Sequence, residues 1–327
     1  MSLDLGRILG RTFSITWRHK WLWLLGVFGG GTFGFRANFP GAGGGGNGGS
    51  STAQVQQFLH DWAWLIVLAV IVVLLIVLAS FIISCIAIPA ATWGALVLDA
   101  GEPATLGTAW RQGVRRFWVY FRLALLRLLI GLVVFAVAGV LVLIGVLVYT
   151  SVGNGSLVLL IPLGILLVLA LVIVSIALAF LFAWSDRTPV LLGVGAVGAL
   201  RTSATIARQA WVDTLIFAIV MGLIAGIMGI GVVLAAAVFA IPGIIVAIAG
   251  LSGGSTVVIG IGVVLALLLG GAVLIVGSGF VGAVVQVAYA LACRDICLNR
   301  GLQVSPDVPL PAPVPTAGLA APPPAPA

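Results

Sequence analysis

Five long apolar runs dominate the chain, at 62–88, 128–149, 157–184, 214–241 and 256–292, and a shorter one begins at Trp21. A helix needs roughly 20 apolar residues to cross a hydrocarbon core of about 30 Å, so each long run is a candidate span. No run alternates apolar with polar residues. That disfavours a transmembrane β-barrel and leaves helices, whose backbone groups are satisfied within the segment. The connections 151–156 and 251–255 are short and uncharged, and each predicts a helical hairpin of antiparallel neighbours. The expected fold class is therefore all-α, a polytopic transmembrane bundle of about six spans.

Three stretches depart from this simple pattern. The first run, 21–35, would reach only about 22 Å as a helix. Extending it to 39 brings in Arg36, whose long side chain can snorkel to the far interface, and a flexible glycine-rich loop follows at 41–49. The last run would extend about 55 Å as one helix, so it either tilts and continues past the bilayer or breaks near Gly277, Ser278 and Gly279. Pro89 similarly marks a kink in a helix that continues to Asp99. Residues 1–302 form a single membrane domain, and the Pro- and Ala-rich tail 303–327 lacks apolar periodicity and is expected to be disordered or polyproline-like.

Composition agrees with lipid as the solvent. Of 327 residues, 62% are hydrophobic and only 7% charged, with a mean hydropathy of +1.31, whereas soluble domains carry about 25% charge. The net charge of +7 follows from the positive-inside rule and does not call for nucleic acid. With six spans, every Lys and Arg except Arg36 falls on one side, which places both termini in the cytoplasm. A re-entrant first run would weaken that asymmetry. Trp17, Trp21, Trp23, Trp93, Trp110, Trp118, Trp184 and Trp211 fall at predicted cytoplasmic boundaries, and Trp62 and Trp64 mark the outer one. The basic N-terminal stretch before Trp21 is too long, and the apolar run too rich in Gly and Trp, for a signal peptide. Fourteen Arg against one Lys, with abundant Ala, Gly and Val, point to a GC-rich bacterial genome and an inner-membrane location.

Self-similarity sharpens this picture. Arg11-Thr12, Arg18 and Trp21 recur with identical spacing as Arg201-Thr202, Arg208 and Trp211, and Arg115 with Trp118 repeats the Arg-x-x-Trp step before the third span. The spacing predicts three units, 1–100, 101–187 and 188–302, each an amphipathic cytoplasmic helix followed by a transmembrane hairpin. Arg and Trp three residues apart share a helix face, where a guanidinium meets lipid phosphates while an indole sits at the acyl boundary. Arg18, Trp21, Arg115, Trp118, Arg208 and Trp211 are thus the candidate membrane-interface residues. Anionic headgroups are the expected partner, beside a membrane-protein partner or a second copy of the chain; plain topological anchoring would produce the same pattern.

At these segments, Leu106-Gly107 through Trp118 and Ala199-Leu200-Arg201 through Trp211, the chain resembles a loose group of bacterial six-helix membrane proteins. The group includes the membrane domain fused to some glycerophosphodiester phosphodiesterases. The resemblance covers residues 1 to 300 in outline and implies a membrane location. The hydrolase barrel that would carry phosphodiesterase activity is absent from this sequence.

No motif adds chemistry. Gly193, Gly195 and Gly198 match a dinucleotide-binding pattern but lack the strand that must precede it, so a turn is expected there. Gly222, Gly226 and Gly229 share a face of the fifth span, with Ala266, Gly270, Ser278 and Gly282 in the sixth, and small faces let helices approach closely. Intramolecular packing is the expectation, with homodimerisation the alternative. His19 and His60 fall on opposite sides of the membrane. Cys293 and Cys297, one turn apart without further ligands, make a poor zinc site, Cys85 stands alone, and Asn154-Gly155-Ser156 reads as turn chemistry. Ionisable groups are expected to be nearly absent from the bundle interior, and interhelical hydrogen bonds account for Gln286, Ser80, Ser84, Ser175 and Ser278. No cofactor is implied and no paired acid and base groups suggest an enzyme. The expectation is a non-enzymatic scaffold or accessory subunit with basic, Trp-rich cytoplasmic helices. The alternative is a transporter or channel for a small or lipid-like solute, with helix breaks at Pro89, Pro162, Pro242 and Gly277 framing its site.

Overall fold

The computed structural model describes residues 4–29, 63–152, 157–209 and 211–309. Among them the chain forms helices and no strand: α1 (Leu5–Arg18), α2 (Trp21–Gly29), α3 (Ala63–Asp99), α4 (Leu106–Arg115), α5 (Phe117–Val152), α6 (Leu157–Ser185), α7 (Thr188–Leu192), α8 (Ala196–Gln209), α9 (Trp211–Ser252) and α10 (Thr256–Asn299). Five of these, α3, α5, α6, α9 and α10, are long and apolar enough to cross a membrane. This is an all-α, multi-pass membrane architecture. The continuation of the first run through 30–39, the glycine-rich loop, His60, Trp62, the Asn154-Gly155-Ser156 turn and the tail from 310 onward lie outside the described residues.

The long helices overrun the bilayer instead of breaking. α9 has 42 residues and α10 has 44, more than 60 Å each at about 1.5 Å per residue. Both are continuous, α10 through Gly277 and Gly279, and α3, α6 and α9 run through Pro89, Pro162 and Pro242. The glycines of α10 serve close approach: a Cβ on Gly277 would lie 2.4 Å from Val232, and one on Gly279 would lie 2.6 Å from the Trp23 carbonyl.

A seam of small residues closes the α9/α10 hairpin. Gly250 meets Ile259, Ala247 meets Gly262, Gly243 meets Ala266, Ala236 meets Gly270 and Val232 meets Gly277. From Gly250 to Val232 the chain steps back 18 residues along α9, and from Ile259 to Gly277 it steps forward 18 along α10, the register of an antiparallel pair, with the Ala236–Gly270 contact lying three residues off it. The seam runs for about 27 Å, close to the hydrocarbon thickness. Ala266 and Gly270 take the packing role expected of them, but Gly222, Gly226 and Gly229 do not, since a Cβ on any of the three meets nothing within 4 Å. The physical reason is rotational. The packed face of α9 passes through Thr214, Phe217, Met221, Ala236, Gly243 and Gly250, and residues one position further on point about 100° away from it. Gly222 and Gly229 follow Met221 and Met228 in this way, and so face outward.

The buried core collects at one end. Elements α1, α2, α4, α7 and α8, the last turns of α3 and α6, the second half of α10 and the segment 302–309 enclose Leu22, Leu96, Trp184, Leu191, Ile206, Phe217, Val287, Leu291 and Val308. Beyond this head, the apolar side chains of α3 from Val67 to Leu78, of α5 from Leu128 to Val148 and of α6 from Ile161 to Ile176 are largely exposed, as helix faces that meet acyl chains must be.

Candidate functional site: the charged end of the bundle

Two ion-pair clusters hold the head together. In the first, Asp99 at the end of α3 is fully enclosed and pairs with the buried Arg294 of α10 and, at 2.8 Å, with Arg11 of α1. Arg294 also contacts Asp295 at 3.3 Å, and Asp295 receives Arg7 at 3.4 Å. In the second, Asp186 follows α6 and accepts Arg127 of α5 at 2.6 Å. Arg127 further donates to the Ser185 hydroxyl at 2.6 Å and the Phe182 carbonyl at 2.9 Å. The neighbouring Arg187 is wholly buried; it donates to the Ala183 carbonyl at 2.7 Å and to Gln286 Oε1 at 2.8 Å and lies over the Tyr289 ring at 5.0 Å. Gln286 in turn donates to the carbonyl of Gly29, where α2 is last described. The Tyr120 hydroxyl donates to the Asp186 carbonyl.

Buried charge of this kind was not expected from the sequence, which suggested an interior nearly free of ionisable groups. The groups cluster at one end, at the boundaries of the apolar runs: Asp186, Arg187, Arg294 and Asp295 just after a run, and Arg127 just before one. The available signal was the adjacency of opposite charges at those ends, Asp186-Arg187 and Arg294-Asp295. Isolated charges would cost several kcal/mol each on burial, so pairing is obligatory. Two of the polar candidates make the interhelical bonds expected of them: Gln286 as above, and Ser84, which donates to the Phe28 carbonyl at 2.5 Å. Ser278 instead donates within its own helix, to Ile275.

The remaining cations face outward. Arg18, Lys20, Arg111, Arg115, Arg122, Arg201 and Arg208 are exposed and have no acidic or hydrogen-bonding partner among the described residues. All lie on α1, α4, α8 or at the starts of α2 and α5, around the head. Local structure explains why. Asp4 caps α1 by accepting from the Arg7 amide at 3.1 Å, and Thr105 and Thr108 form a reciprocal capping box on α4. Each short helix turns one face inward, through Ile8, Thr12 and Thr16 in α1, Ala109 and Gly113 in α4, and Ala199, Ser203 and Ile206 in α8. The charged positions are left on the opposite face.

The six interface candidates thus have two fates. Arg18, Arg115 and Arg208 are exposed, as are Trp118 and Trp211, at 66% and 63%. Trp21 is half-buried, and its ring covers Gly94 so closely that a Cβ there would lie 2.6 Å away. Trp17 takes the exposed position in that segment, edge-on to Phe280 at 5.9 Å, while the Trp23 indole donates to the Thr16 carbonyl at 2.9 Å.

The other motifs resolve simply. Gly193 ends α7 with a φ of 66°, a left-handed turn that favours glycine, Gly195 precedes α8, and Gly198 lies in its first turn. Cys85, Cys293 and Cys297 are buried free thiols. No family model matches this chain, and no curated protein or solved structure matches it either.

Proposed function

We propose that this chain is a non-enzymatic integral membrane protein, a scaffold or accessory subunit. Its charged head lies at the cytoplasmic face of the plasma membrane and binds anionic headgroups through the α1, α4 and α8 helices, with both termini on that side. One observation carries the reading: the cations divide into those locked inward by Asp99, Asp186, Asp295 and Asp307 and those left outward with no partner among the described residues. A protein that needed its arginines only for internal pairing would not keep an unpaired set beside exposed Trp17, Trp118 and Trp211. Each such cation near an anionic surface contributes about 1 kcal/mol. The enclosed carboxylates are committed to guanidinium groups, which leaves none of them to act as an acid or base. The alternative, transport, drew on helix breaks, and the continuous helices at Pro89, Pro162, Pro242 and Gly277 remove that support.

The test uses the full-length protein in bilayer discs of phosphatidylcholine with a minority of phosphatidylglycerol, and measures the lipid that stays with it on extraction. Enrichment of phosphatidylglycerol that falls as salt rises, and falls again in the Arg18→Gln/Arg201→Gln/Arg208→Gln variant, is expected. Retained lipid of bulk composition at low salt overturns the reading.

A further inference from the structure

A pocket of about 570 Å³ opens between α3 and α4, lined by Trp93, Thr108, Arg111, Gln112, Val114 and Arg115. Its volume falls in the range of small-molecule sites, roughly 300–1,000 Å³. The backbone dictates which side chains reach it. Gly113 is pressed onto α3, where a Cβ would lie 2.4 Å from the Ile86 carbonyl. That contact seats the Ala109/Gly113 face of α4 against its neighbour. Arg111 and Arg115 are one helical turn apart and so share a second face, and both stand exposed at the pocket without a partner among the described residues.

Three features distinguish this place from the rest of the basic surface. Arg116, the next residue, is fully committed elsewhere: it donates to the carbonyls of Pro189 at 2.6 Å and Val190 at 3.0 Å and to Asp307 at 3.0 Å. Asp307, the acid that Arg116 reaches, is therefore already neutralised. The Gln112 side-chain oxygen is enclosed and has no hydrogen-bond partner, an acceptor awaiting a donor, since enclosed polar groups are rarely left unmatched. The Trp93 indole, whose Nε1 donates to the Asp307 carbonyl at 3.2 Å, is fixed as an apolar wall. Two guanidinium groups, one acceptor and an aromatic wall match a ligand that carries a phosphate and a hydroxyl a few ångströms apart.

We propose that this pocket is a specific site for a phosphate ester bearing a free hydroxyl, the chemistry of a glycerol-phosphate headgroup. Arg111 and Arg115 hold the phosphate, and Gln112 accepts from the hydroxyl. The proposal rests on the lipid-contact reading above and adds to it one saturable site of defined stoichiometry. Outside this pocket, the remaining unpaired cations offer diffuse attraction only.

Native mass spectrometry of the full-length protein in detergent, titrated with phosphatidylglycerol, phosphatidylcholine or soluble glycerol phosphate, tests it. One phosphatidylglycerol bound per chain is expected, with phosphatidylcholine failing to compete. Loss of the two charge-assisted contacts in Arg111→Gln/Arg115→Gln weakens it by at least about tenfold. Gln112→Leu weakens it less, while Arg300→Gln, an exposed cation at the end of α10 that takes no part in the lipid contact proposed above, leaves it unchanged. Both Arg111 and Arg115 are exposed, so these variants fold, and unaltered helical circular dichroism checks that. Saturation by glycerol phosphate at the same concentration assigns the site to soluble esters, and saturation by the lipid alone assigns it to the membrane; either supports the shared chemistry. A single tight site that survives Arg111→Gln/Arg115→Gln overturns the pocket while leaving the general lipid reading intact, whereas absence of any anionic preference in the wild-type overturns both.

Discussion

Removing the Asp99 carboxylate is the sharpest test of the head. The group is completely enclosed and sits between Arg294, with 2% of its side chain exposed, and Arg11, with 39%. Asp99→Asn keeps the shape and deletes the charge. The half-exposed Arg11 regains water, so its share of the loss is below about 1 kcal/mol. Arg294 cannot do the same, and its remaining acid, Asp295, is 3.3 Å away and partly exposed. Breaking a buried pair from one side costs about 3–5 kcal/mol, and the residual Asp295 contact places the expected loss near the lower end, about 3 kcal/mol. Removing both charges in Asp99→Leu/Arg294→Met takes away the orphaned group and should return stability to within about 1 kcal/mol of wild-type. The assay is unfolding by sodium dodecyl sulfate in mixed micelles, followed by far-ultraviolet circular dichroism, for Asp99→Asn and for Asp99→Leu, Arg294→Met and their double, so that the coupling is isolated. A loss under 1 kcal/mol for Asp99→Asn, or a double variant as unstable as the sum of the singles, would refute the view that a desolvated ion pair joins α3 to α10.

Two further expectations follow from geometry. Gly26→Ala puts a Cβ 2.1 Å from the Gly279 carbonyl oxygen, a backbone atom that cannot swing away, and should cost about 1–3 kcal/mol in the same unfolding assay. Gly222→Ala, which meets open space, should be neutral or gain up to about 1 kcal/mol of helix propensity; equal effects at the two sites would contradict the close packing of α2 on α10 or the outward placement of Gly222 on α9. For orientation, cysteines introduced at Ser151 and at Thr205, both exposed, should label with an impermeant maleimide from opposite sides of the cell membrane, Thr205→Cys only after permeabilisation. The buried native cysteines should stay silent, and labelling of both sites from one side refutes the proposed topology.

The spans were readable because lipid imposes a minimum length on any apolar run, and the runs 62–88, 128–149, 157–184, 214–241 and 256–292 each fall within one long helix or miss its start by a residue. Their true ends were less readable. α5 begins at Phe117 and α10 continues to Asn299, because helix growth past the bilayer is decided by what the extra turns pack against. Which small face of α9 is the packed one was also hidden. Gly222 and Gly243 look alike along the chain, and only the register of α10 distinguishes them. The same holds for tryptophan: Trp21 and Trp211 have the same spacing from their arginines, but α2 is packed against α3 and α10 and α9 starts at the surface of the head.

Why the association of the hairpins depends on the head follows from the solvent. Acyl chains are as apolar as leucine, so burying Leu against Leu inside a bilayer gives little net drive. The α9/α10 pair overcomes this with its small-residue seam. The α5/α6 pair shows no such seam among its described glycine contacts, since a Cβ added at Gly131, Gly139 or Gly164 meets nothing within 4 Å. Its described polar links lie instead at the head, where Arg127 grips Phe182, Ser185 and Asp186 and Tyr120 reaches the Asp186 carbonyl. These contacts span 55 to 66 residues of sequence, and the Asp99–Arg294 pair spans 195, so no local pattern announces them. The membrane thus sets where the helices run, and the charged end sets which helices stay together. The close seat of Gly113 on α3 and the grip of Arg116 on Pro189 and Val190 fix the backbone of α4, and with it the positions from which Arg111 and Arg115 project.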